Sequence, residues 1–145
     1  MAVRSASAVW EGDLRGGSGT MSLGSGAFEG GYSFRSRFED GEGTNPEELI
    51  GAAHAGCFSM ALSAELGKLG LQPERIKTEA KLTFETGDKP TITKIHLDVT
   101  ARIPGADKAK FDTAAQNAKA GCPVSRVLKA EITMDAKLEA MEPQR

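Results

Sequence analysis

Two cysteines, Cys57 and Cys122, are the residues of this sequence best suited to covalent chemistry. They lie far apart along the chain, outside the short spacings of a CxxC redox motif or a zinc finger. No secretory signal is evident in the first ten residues, so both side chains are expected to be reduced at rest. Two free thiols, or a pair that cycles between thiol and disulfide, are therefore favoured over a permanent structural disulfide.

The residues around each cysteine limit what its thiol can do. Cys57 lies among small and apolar residues, where burial raises a thiol pKa, so a nucleophilic Cys57 needs a cation nearby. Cys122 directly precedes Pro123, a position that suits the N-cap of a helix, where backbone N–H groups and the helix dipole favour a thiolate. The alternative for both is structural, with each side chain packed as a small hydrophobe. Local sequence leaves both possibilities open.

Two histidines offer a base or a metal ligand. His54 lies three residues before Cys57 on the same helical face, so it can act as a base for this thiol or bind a metal beside it. An ordinary core or interface histidine is the alternative. His96 alternates onto the polar face of a strand, which makes it a weaker candidate for a ligand or a base.

Arginines ahead of a predicted helix are candidates for the cation that a nucleophilic Cys57 needs. Arg35 and Arg37 stand shortly before the segment that carries Glu47 and Glu48. One hypothesis is that a glutamate fixes the fork of an arginine against a thiolate. The other is a solvated arginine, with the two glutamates only complementing the positive end of a helix dipole. Spacing along the sequence does not decide between them.

The apolar pattern predicts the elements that position these side chains. Asn45 as the cap, Pro46 at the first helical position and Glu48 in a capping box mark a helix start. Gly70 suits the left-handed stop of that helix, and the small residues in its middle indicate a central position. The predicted elements are strands within about 1–40 (near Ala6–Trp10, Thr20–Leu23 and Tyr32–Phe38), a central helix at about 46–69, a hairpin at about 76–103, a second helix with the Cys122 turn at about 106–128, and a last strand at about 130–138.

Element order and composition set the class of the chain. Strands come in blocks and no βαβ alternation is evident, which predicts an α+β fold in a single domain, 1–145, with antiparallel sheet packed over helices. A net charge of -2 without a basic tract argues against nucleic acid as a partner. The longest near-apolar stretch, Leu49–Leu62, is shorter than the ~18 residues that span a bilayer, so a cytoplasmic protein without a membrane partner is expected.

Several segments resemble one known family. Asn45–Leu62, which contains Gly51-Ala52-Ala53-His54-Ala55-Gly56-Cys57, resembles the central-helix signature of the osmotically inducible protein C (OsmC) family. Lys119–Ser125 resembles the family's second cysteine motif, and Trp10–Asp13 and Leu128–Thr133 resemble the family as well, in the same order over nearly the whole chain. The sister group of organic hydroperoxide resistance proteins (Ohr) usually has tyrosine where His54 and Val124 stand, so the OsmC branch is favoured.

The resemblance implies a fold, an assembly and the roles of four residues. It implies an α+β subunit whose antiparallel sheet wraps around two central helices in an intertwined homodimer, with the reactive sites at the dimer interface. By the same resemblance, Cys57 is the peroxidatic cysteine and Cys122 the resolving one. Arg37 stabilises the reactive thiolate and Glu47, of the same or the other subunit, orients Arg37, whereas Glu48 is kept as a helix cap.

The activity implied by the resemblance is a cysteine-based peroxidase that reduces organic hydroperoxides to alcohols, in defence against oxidative and osmotic stress. A Cys57 thiolate attacks the peroxide and becomes a sulfenic acid, which Cys122 captures as a disulfide before overoxidation. An external dithiol, which the resemblance implies to be a lipoyl-type or other small dithiol, recycles the disulfide, and no metal, flavin or haem cofactor is required. Apolar neighbours of Cys57 would favour alkyl or lipid hydroperoxides over hydrogen peroxide. These neighbours are Phe58, Met60 and Leu62.

Two other functions fit the same residues. The first is a metal-binding protein that uses His54, Cys57 and Cys122, which is sensible for zinc although a fourth ligand is missing. The second is a noncatalytic protein that binds apolar ligands, in which both cysteines are structural.

Overall fold

The computed structural model describes residues 1–139, which form two compact units, Met1–Leu49 and a second unit from Ile50 onward. The prediction of a single domain over 1–145 stays a prediction. The positions of the other predicted elements are confirmed within a few residues, apart from the third strand. The elements are β1 Ala6–Glu11, β2 Ser18–Leu23, β3 Glu29–Tyr32, α1 Phe34–Phe38, α2 Pro46–Lys68, β4 Arg75–Glu85, β5 Thr91–Arg102, α3 Lys108–Gly121, α4 Pro123–Val127 and β6 Glu131–Leu138.

The first unit is built on an antiparallel sheet in the order β1-β2-β3. Gly19 of β2 lies opposite Trp10 of β1 on one side and Tyr32 of β3 on the other. The ring centroids of Trp10 and Tyr32 are 5.3 Å apart. A Cβ atom at Gly19 would lie 2.6 Å from the Tyr32 ring and 2.8 Å from the Trp10 ring. A residue without a side chain is needed in the middle strand because the two rings meet across it.

The predicted strand Tyr32–Phe38 is wrong after its first residue, because the residues that follow form α1. Ser33 caps this helix, accepting the backbone N–H of Ser36 at 3.2 Å, while the Ser36 hydroxyl accepts the N–H of Ser33 at 2.8 Å. The Ser36 hydroxyl also donates to the carbonyl of Thr44 at 2.7 Å. Local hydrogen bonds from serine compete with a strand ladder. Phe34 and Phe38, which would share one face of the predicted strand, are instead one helical turn apart, with ring centroids 4.8 Å apart.

The start of α2 confirms the predicted cap. The Asn45 side-chain oxygen accepts the backbone N–H of Glu48 at 2.7 Å, and Pro46 is the first helical residue. The Glu48 carboxylate accepts a hydrogen bond from the Thr44 hydroxyl at 2.8 Å. It therefore stabilises the helix start through Thr44 and through the dipole.

The end of α2 confirms Gly70 as the residue that stops the helix. Its φ is +75°, in the left-handed region. The N–H of Gly70 donates to the carbonyl of Gly67, and the N–H of Leu71 donates to the carbonyl of Leu66, each at 3.0 Å. These two bonds form a Schellman motif, which satisfies carbonyls that have no partner within the helix.

The second unit contains a mixed sheet in the order β4-β5-β6, with one face covered by helices. β4 and β5 form the predicted antiparallel hairpin, interrupted by a bulge between Thr83 and Phe84. The central strand β5 is buried at alternate residues, as expected for a sheet with one wet face. The fully buried apolar residues are Phe58, Leu62 and Leu66 of α2, Ile95, Leu97, Val99 and Ala101 of β5, Ile103, then Phe111, Ala114, Ala115 and Ala118 of α3, and Cys122.

The α+β class is confirmed, but the expectation of no βαβ connection is wrong at one place. β6 pairs with β5 in parallel, with Met134 opposite Leu97, and α3 and α4 lie between the two strands in the sequence. A helical crossover returns the chain to the end of the sheet where β5 began, so the next strand runs in the same direction. The crossover is held by the buried side chains of α3, among them Phe111 and Ala118.

α2 passes the length and composition test for a membrane span. It has 23 residues, and an 18-residue window has a mean hydropathy of 1.3, so its apolar character extends beyond the predicted stretch Leu49–Leu62. One side of the helix supplies core residues, including Phe58 and Leu66. The other side is exposed and consists of small residues with Met60, which is 78% exposed. The exposed side of this chain therefore offers a surface on which another helix can pack closely.

The left-handed backbone at Gly70 predicts a stability difference between two glycine substitutions. A Cβ atom would meet nothing within 4 Å at Gly70 or at Gly87, but only Gly70 has a positive φ. Gly70→Ala should lower the free energy of unfolding by about 1 kcal/mol, whereas Gly87→Ala should leave it unchanged or raise it slightly. Urea denaturation at matched protein concentration measures both. Equal effects at the two positions would show that backbone conformation does not set the end of α2.

Candidate active site

The fold brings the two cysteines into contact. Cys57 projects from α2, and Cys122 lies at the junction that ends α3 and begins α4. Their sulfurs are 2.9 Å apart, and both thiols are free. The packing of α2 and α3 on one face of the same sheet produces this contact between residues that are distant in sequence. Two thiols at this distance can form a disulfide with little movement of the backbone.

Cys122 occupies the N-cap position of α4, as the sequence predicts, with Pro123 as the first helical residue. Burial opposes ionisation of its thiol, since the side chain has no exposed surface. Interactions with the Cys57 thiol, the Ser125 side chain and the backbone N–H groups of Ser125 and Val124 outweigh burial and lower the pKa of Cys122. The start of α4 therefore favours a buried thiolate.

Cys57 has the opposite tendency. Burial, followed by its contact with Cys122, raises the pKa of Cys57, and the backbone N–H of Val124 compensates only in part. Cys57 is nevertheless half-buried, whereas Cys122 is fully buried. The more accessible sulfur is thus the less acidic one within the second unit. A nucleophilic Cys57 therefore needs a nearby cation to offset the cost of burying its thiolate.

In the first unit, Arg37 and Glu47 form an ion pair. The guanidinium donates from Nε at 2.9 Å and from Nη2 at 2.8 Å, both to the same Glu47 oxygen, Oε1. Glu47 is 8% exposed, so its carboxylate does more than complement the positive end of the helix dipole. Arg35 instead makes an exposed 3.7 Å contact with Glu39. The structure therefore separates two arginines that local spacing could not distinguish, and it pairs Arg37 with Glu47 of the same chain. The role of Arg37 toward a thiolate stays a prediction.

An aromatic cavity of about 250 Å³ lies beside Arg37 in the first unit. The cavity is larger than a water molecule needs and has mostly apolar walls, as is typical of sites for small organic groups. Its apolar lining comes from Trp10, Leu14, Tyr32, Phe34 and Phe38.

The prediction that Phe58, Met60 and Leu62 favour organic peroxides is wrong for two of these three residues. Phe58 and Leu62 have no exposed surface and pack in the core of the second unit. They cannot contact a substrate. A residue adjacent to a reactive cysteine in a helical sequence points about 100° away from it, so sequence proximity is a poor guide here. Met60 is exposed on α2.

His54 bonds to Ser125, not to Cys57. The imidazole Nε2 lies 2.8 Å from the Ser125 hydroxyl, and both residues are buried. Burial lowers the pKa of His54, which keeps it neutral. Ser125 was missed by the sequence analysis. The signal for it is its place three residues after Cys122, where the side chain of a first-turn residue faces the cap.

The ligand set of the metal-binding hypothesis does not assemble. Within residues 1–139, the one group of histidine, cysteine or carboxylate side chains close enough to share an ion is His96, Asp98 and Asp135. His96 Nε2 lies 3.2 Å from a carboxylate oxygen of each aspartate, on the polar strand face where the sequence placed it. His54, Cys57 and Cys122 form no such group in this part of the chain.

Known proteins share both the sequence and the fold. Residues 39–137 match the family model described as OsmC-like protein. The chain is 53% identical over 135 residues to peroxiredoxin OsmC of Escherichia coli (strain K12), with 92% of this chain and 94% of that protein covered. It is 28% identical over 102 residues to the organic hydroperoxide resistance protein of Xanthomonas axonopodis pv. citri (strain 306), with 68% of each covered.

A solved structure supports the same architecture. An OsmC-like protein of unknown function from Vibrio cholerae superposes with a TM-score of 0.75 at 16% identity, covering 94% of this chain and 99% of that chain. At this level of identity the likeness shows the fold alone.

Proposed function

The chain belongs to the OsmC family and is a peroxidase, an oxidoreductase; from that premise we propose that it reduces organic hydroperoxides to alcohols through Cys57 and Cys122. The observation that carries the proposal is the 2.9 Å separation of the two sulfurs. Greater exposure of Cys57 supports its role as the cysteine that meets the peroxide. The printed names of the relatives, a peroxiredoxin and an organic hydroperoxide resistance protein, support the substrate class.

The first half of the cycle oxidises Cys57. Its thiolate attacks the terminal peroxide oxygen, the S–O bond forms as the O–O bond breaks, and the alkoxide takes a proton to become the alcohol. Cys57 is left as a sulfenic acid. Because further peroxide would drive it to the irreversible sulfinic state, a second thiol must react quickly.

The second half of the cycle forms and then opens a disulfide. The Cys122 thiolate attacks the Cys57 sulfur, the S–S bond forms as the S–O bond breaks, and hydroxide leaves to become water. An external dithiol, for which a lipoyl-type compound is our candidate, then reduces the disulfide by thiol exchange. We place this cycle in the cytoplasm, in defence against oxidative and osmotic stress.

The acidity of Cys57 gives Arg37 its proposed role. Burial disfavours the Cys57 thiolate, so a guanidinium that favours it would both ionise the sulfur and stabilise charge on the departing oxygen. Glu47 fixes the orientation of this guanidinium through Nε and Nη2. We propose that Arg37 acts on the Cys57 thiolate, as the family resemblance implies.

An organic substrate is supported by the aromatic cavity of the first unit, which also includes Arg37 in its wall. Apolar walls stabilise an alkyl or aryl group by burying it, and give no such gain to hydrogen peroxide. The preference for organic peroxides therefore needs neither Phe58 nor Leu62.

A homodimer is the proposed assembly, and the exposed side of α2 supports it. Its small residues allow a second helix to approach closely, and Met60 offers an adaptable apolar contact. A central position for this helix is what the resemblance implies.

Cysteine substitutions test the order of the two sulfurs. Cys57→Ser should abolish consumption of cumene hydroperoxide, because no other thiol is accessible to it. Cys122→Ser should complete one reduction per chain and accumulate a Cys57 sulfenic acid that dimedone traps, then overoxidise with excess peroxide. Stopped-flow peroxide consumption and intact mass measure both results.

The same experiment separates the proposal from a noncatalytic binder. In the wild-type protein, both free thiols should disappear together in one rapid phase after peroxide is added. If both thiols persist, the chain is a binder of apolar ligands. If Cys57→Ser forms a sulfenic acid and Cys122→Ser does not, the two roles are reversed.

Arginine substitutions test the cation. In a Cys122→Ser background, Arg37→Ala should shift the pH profile of Cys57 alkylation upward and slow sulfenic acid formation by about tenfold or more, the effect of losing a charged hydrogen bond. Arg35→Ala, on the same short helix but paired on the surface, is the matched control and should change neither quantity. Identical profiles for Arg37→Ala and wild type would remove Arg37 from the site.

An apolar-to-charged substitution tests the dimer. Met60→Glu should weaken self-association by about tenfold or more in sedimentation equilibrium, because a packed interface does not tolerate an unpaired buried charge. Val127→Glu is the control, since Val127 on α4 is 77% exposed against 78% for Met60. A monomeric wild-type protein, or equal effects of the two substitutions, would contradict an interface built on α2.

A further inference from the structure

A buried polar chain runs behind Cys122, from α4 to α2. Ser125 is the third residue of α4, one helical turn after the cap residue Cys122, and its side chain is among the groups that lower the pKa of Cys122. The Ser125 hydroxyl lies 2.8 Å from His54 Nε2. Ser125 is 8% exposed and His54 has no exposed surface. The chain connects the Cys122 sulfur to the helix that carries Cys57, and the peroxidase cycle as described assigns His54 no task.

The protonation of His54 decides which way the hydrogens of this chain point. Nδ1 is buried and has no hydrogen-bond partner among the residues that the structure describes. A proton on Nδ1 would leave a buried N–H donor unpaired, which folded proteins avoid more strictly than an unpaired acceptor. The neutral imidazole therefore carries its proton on Nε2 and donates to the Ser125 oxygen. Burial of His54, which lowers its pKa, keeps the ring in this neutral form.

The donor arrangement fixes the direction of the serine hydroxyl. Ser125 has one hydrogen to donate, and the His54 N–H occupies one of its acceptor positions. The hydroxyl hydrogen is then directed away from His54, which leaves it available for donation to the Cys122 sulfur. In the other tautomer, Nε2 would be an acceptor and would draw the same hydrogen away from the sulfur.

We propose that His54 is a positioning residue for the resolving cysteine: it holds the Ser125 hydroxyl as a donor to the Cys122 thiolate. This inference rests on the proposed function, in which Cys122 attacks the Cys57 sulfenic acid. In that step the sulfur gives up its charge to the new S–S bond, and the leaving hydroxide takes a proton from solvent. The titratable groups that act on Cys122 in the described part of the chain are Cys57 directly and His54 through Ser125.

Two amide substitutions at His54 give a matched test. Gln places a donor near the position of Nε2, whereas Asn reaches only the position of Nδ1 and cannot contact Ser125. In a Cys57→Ser background, where Cys122 is the one remaining thiol, thiolate absorbance is followed against pH. His54→Gln should keep the titration midpoint of the Cys57→Ser parent. His54→Asn and Ser125→Ala should each raise it, lowering the thiolate fraction below the midpoint by about fivefold, the effect of one hydrogen bond.

The double variant His54→Asn with Ser125→Ala should match Ser125→Ala alone, because His54 acts only through the serine. An unchanged midpoint in folded His54→Asn would overturn the proposal, as would an additive shift in the double variant. If His54→Asn does not fold, the comparison of His54→Gln with Ser125→Ala decides. A titration midpoint raised equally in the two variants overturns the proposal, and a midpoint raised only in Ser125→Ala supports it.

The titration uses no peroxide, so its result is independent of the proposed function. With both cysteines present, His54→Asn should lengthen the lifetime of the Cys57 sulfenic acid by up to about fivefold below the Cys122 midpoint, while leaving its rate of formation unchanged. A wild-type protein that consumes no hydroperoxide would refute the function and leave the titration result standing.

Discussion

The contact between the sulfurs of Cys57 and Cys122 is the interaction on which the rest of this structure depends. Neither sulfur has a reactive partner in its own element. They meet because α2 and α3 bury their apolar sides on the same face of one sheet, and because α3 ends where Cys122 caps the next helix. The parallel pairing of β5 with β6 follows from the same crossover. The helical crossover that joins β5 to β6 therefore also places Cys122 beside Cys57.

The two thiols differ because a helix start favours charge and an apolar helix face does not. Burial opposes ionisation at both cysteines, and the backbone N–H of Val124 offsets it in part at each, but only Cys122 is also stabilised by the backbone and side chain of Ser125. Exposure runs the other way, since Cys57 is the sulfur that a reagent can reach. Accessibility and acidity thus reside on different residues, and for this reason the proposed peroxidase cycle requires a cation that acts on Cys57.

Features set by a few neighbouring residues were predictable from the sequence, and features set by distant partners were not. The cap at Asn45, the stop at Gly70 and the N-cap at Cys122 follow from local backbone chemistry. The direction of β6 is not encoded locally, because the same alternating residues suit a parallel or an antiparallel neighbour.

Some errors came from local evidence that pointed two ways. Tyr32, Phe34 and Phe38 would share one face of a strand, yet Ser33 and Ser36 form a capping box that starts a helix. The two local patterns predict different structures for the same residues. The partner of His54 lies 71 positions away in the sequence, beyond the reach of any spacing argument. Local spacing did not decide whether Arg35 or Arg37 pairs with Glu47; the family resemblance named Arg37, and the structure shows that pair.

The placement of Cys122 at the start of α4 has a consequence for the oxidised protein. A helix end that stabilises a thiolate stabilises the reduced state alone, because a disulfide carries no charge for the dipole to favour. Lowering the free energy of the dithiol relative to the disulfide raises the reduction potential of the pair. In the proposed cycle, the Cys57–Cys122 disulfide is accordingly a stronger oxidant than an ordinary structural crosslink, so the helix start that stabilises the attacking thiolate also favours reduction of the disulfide by the external dithiol.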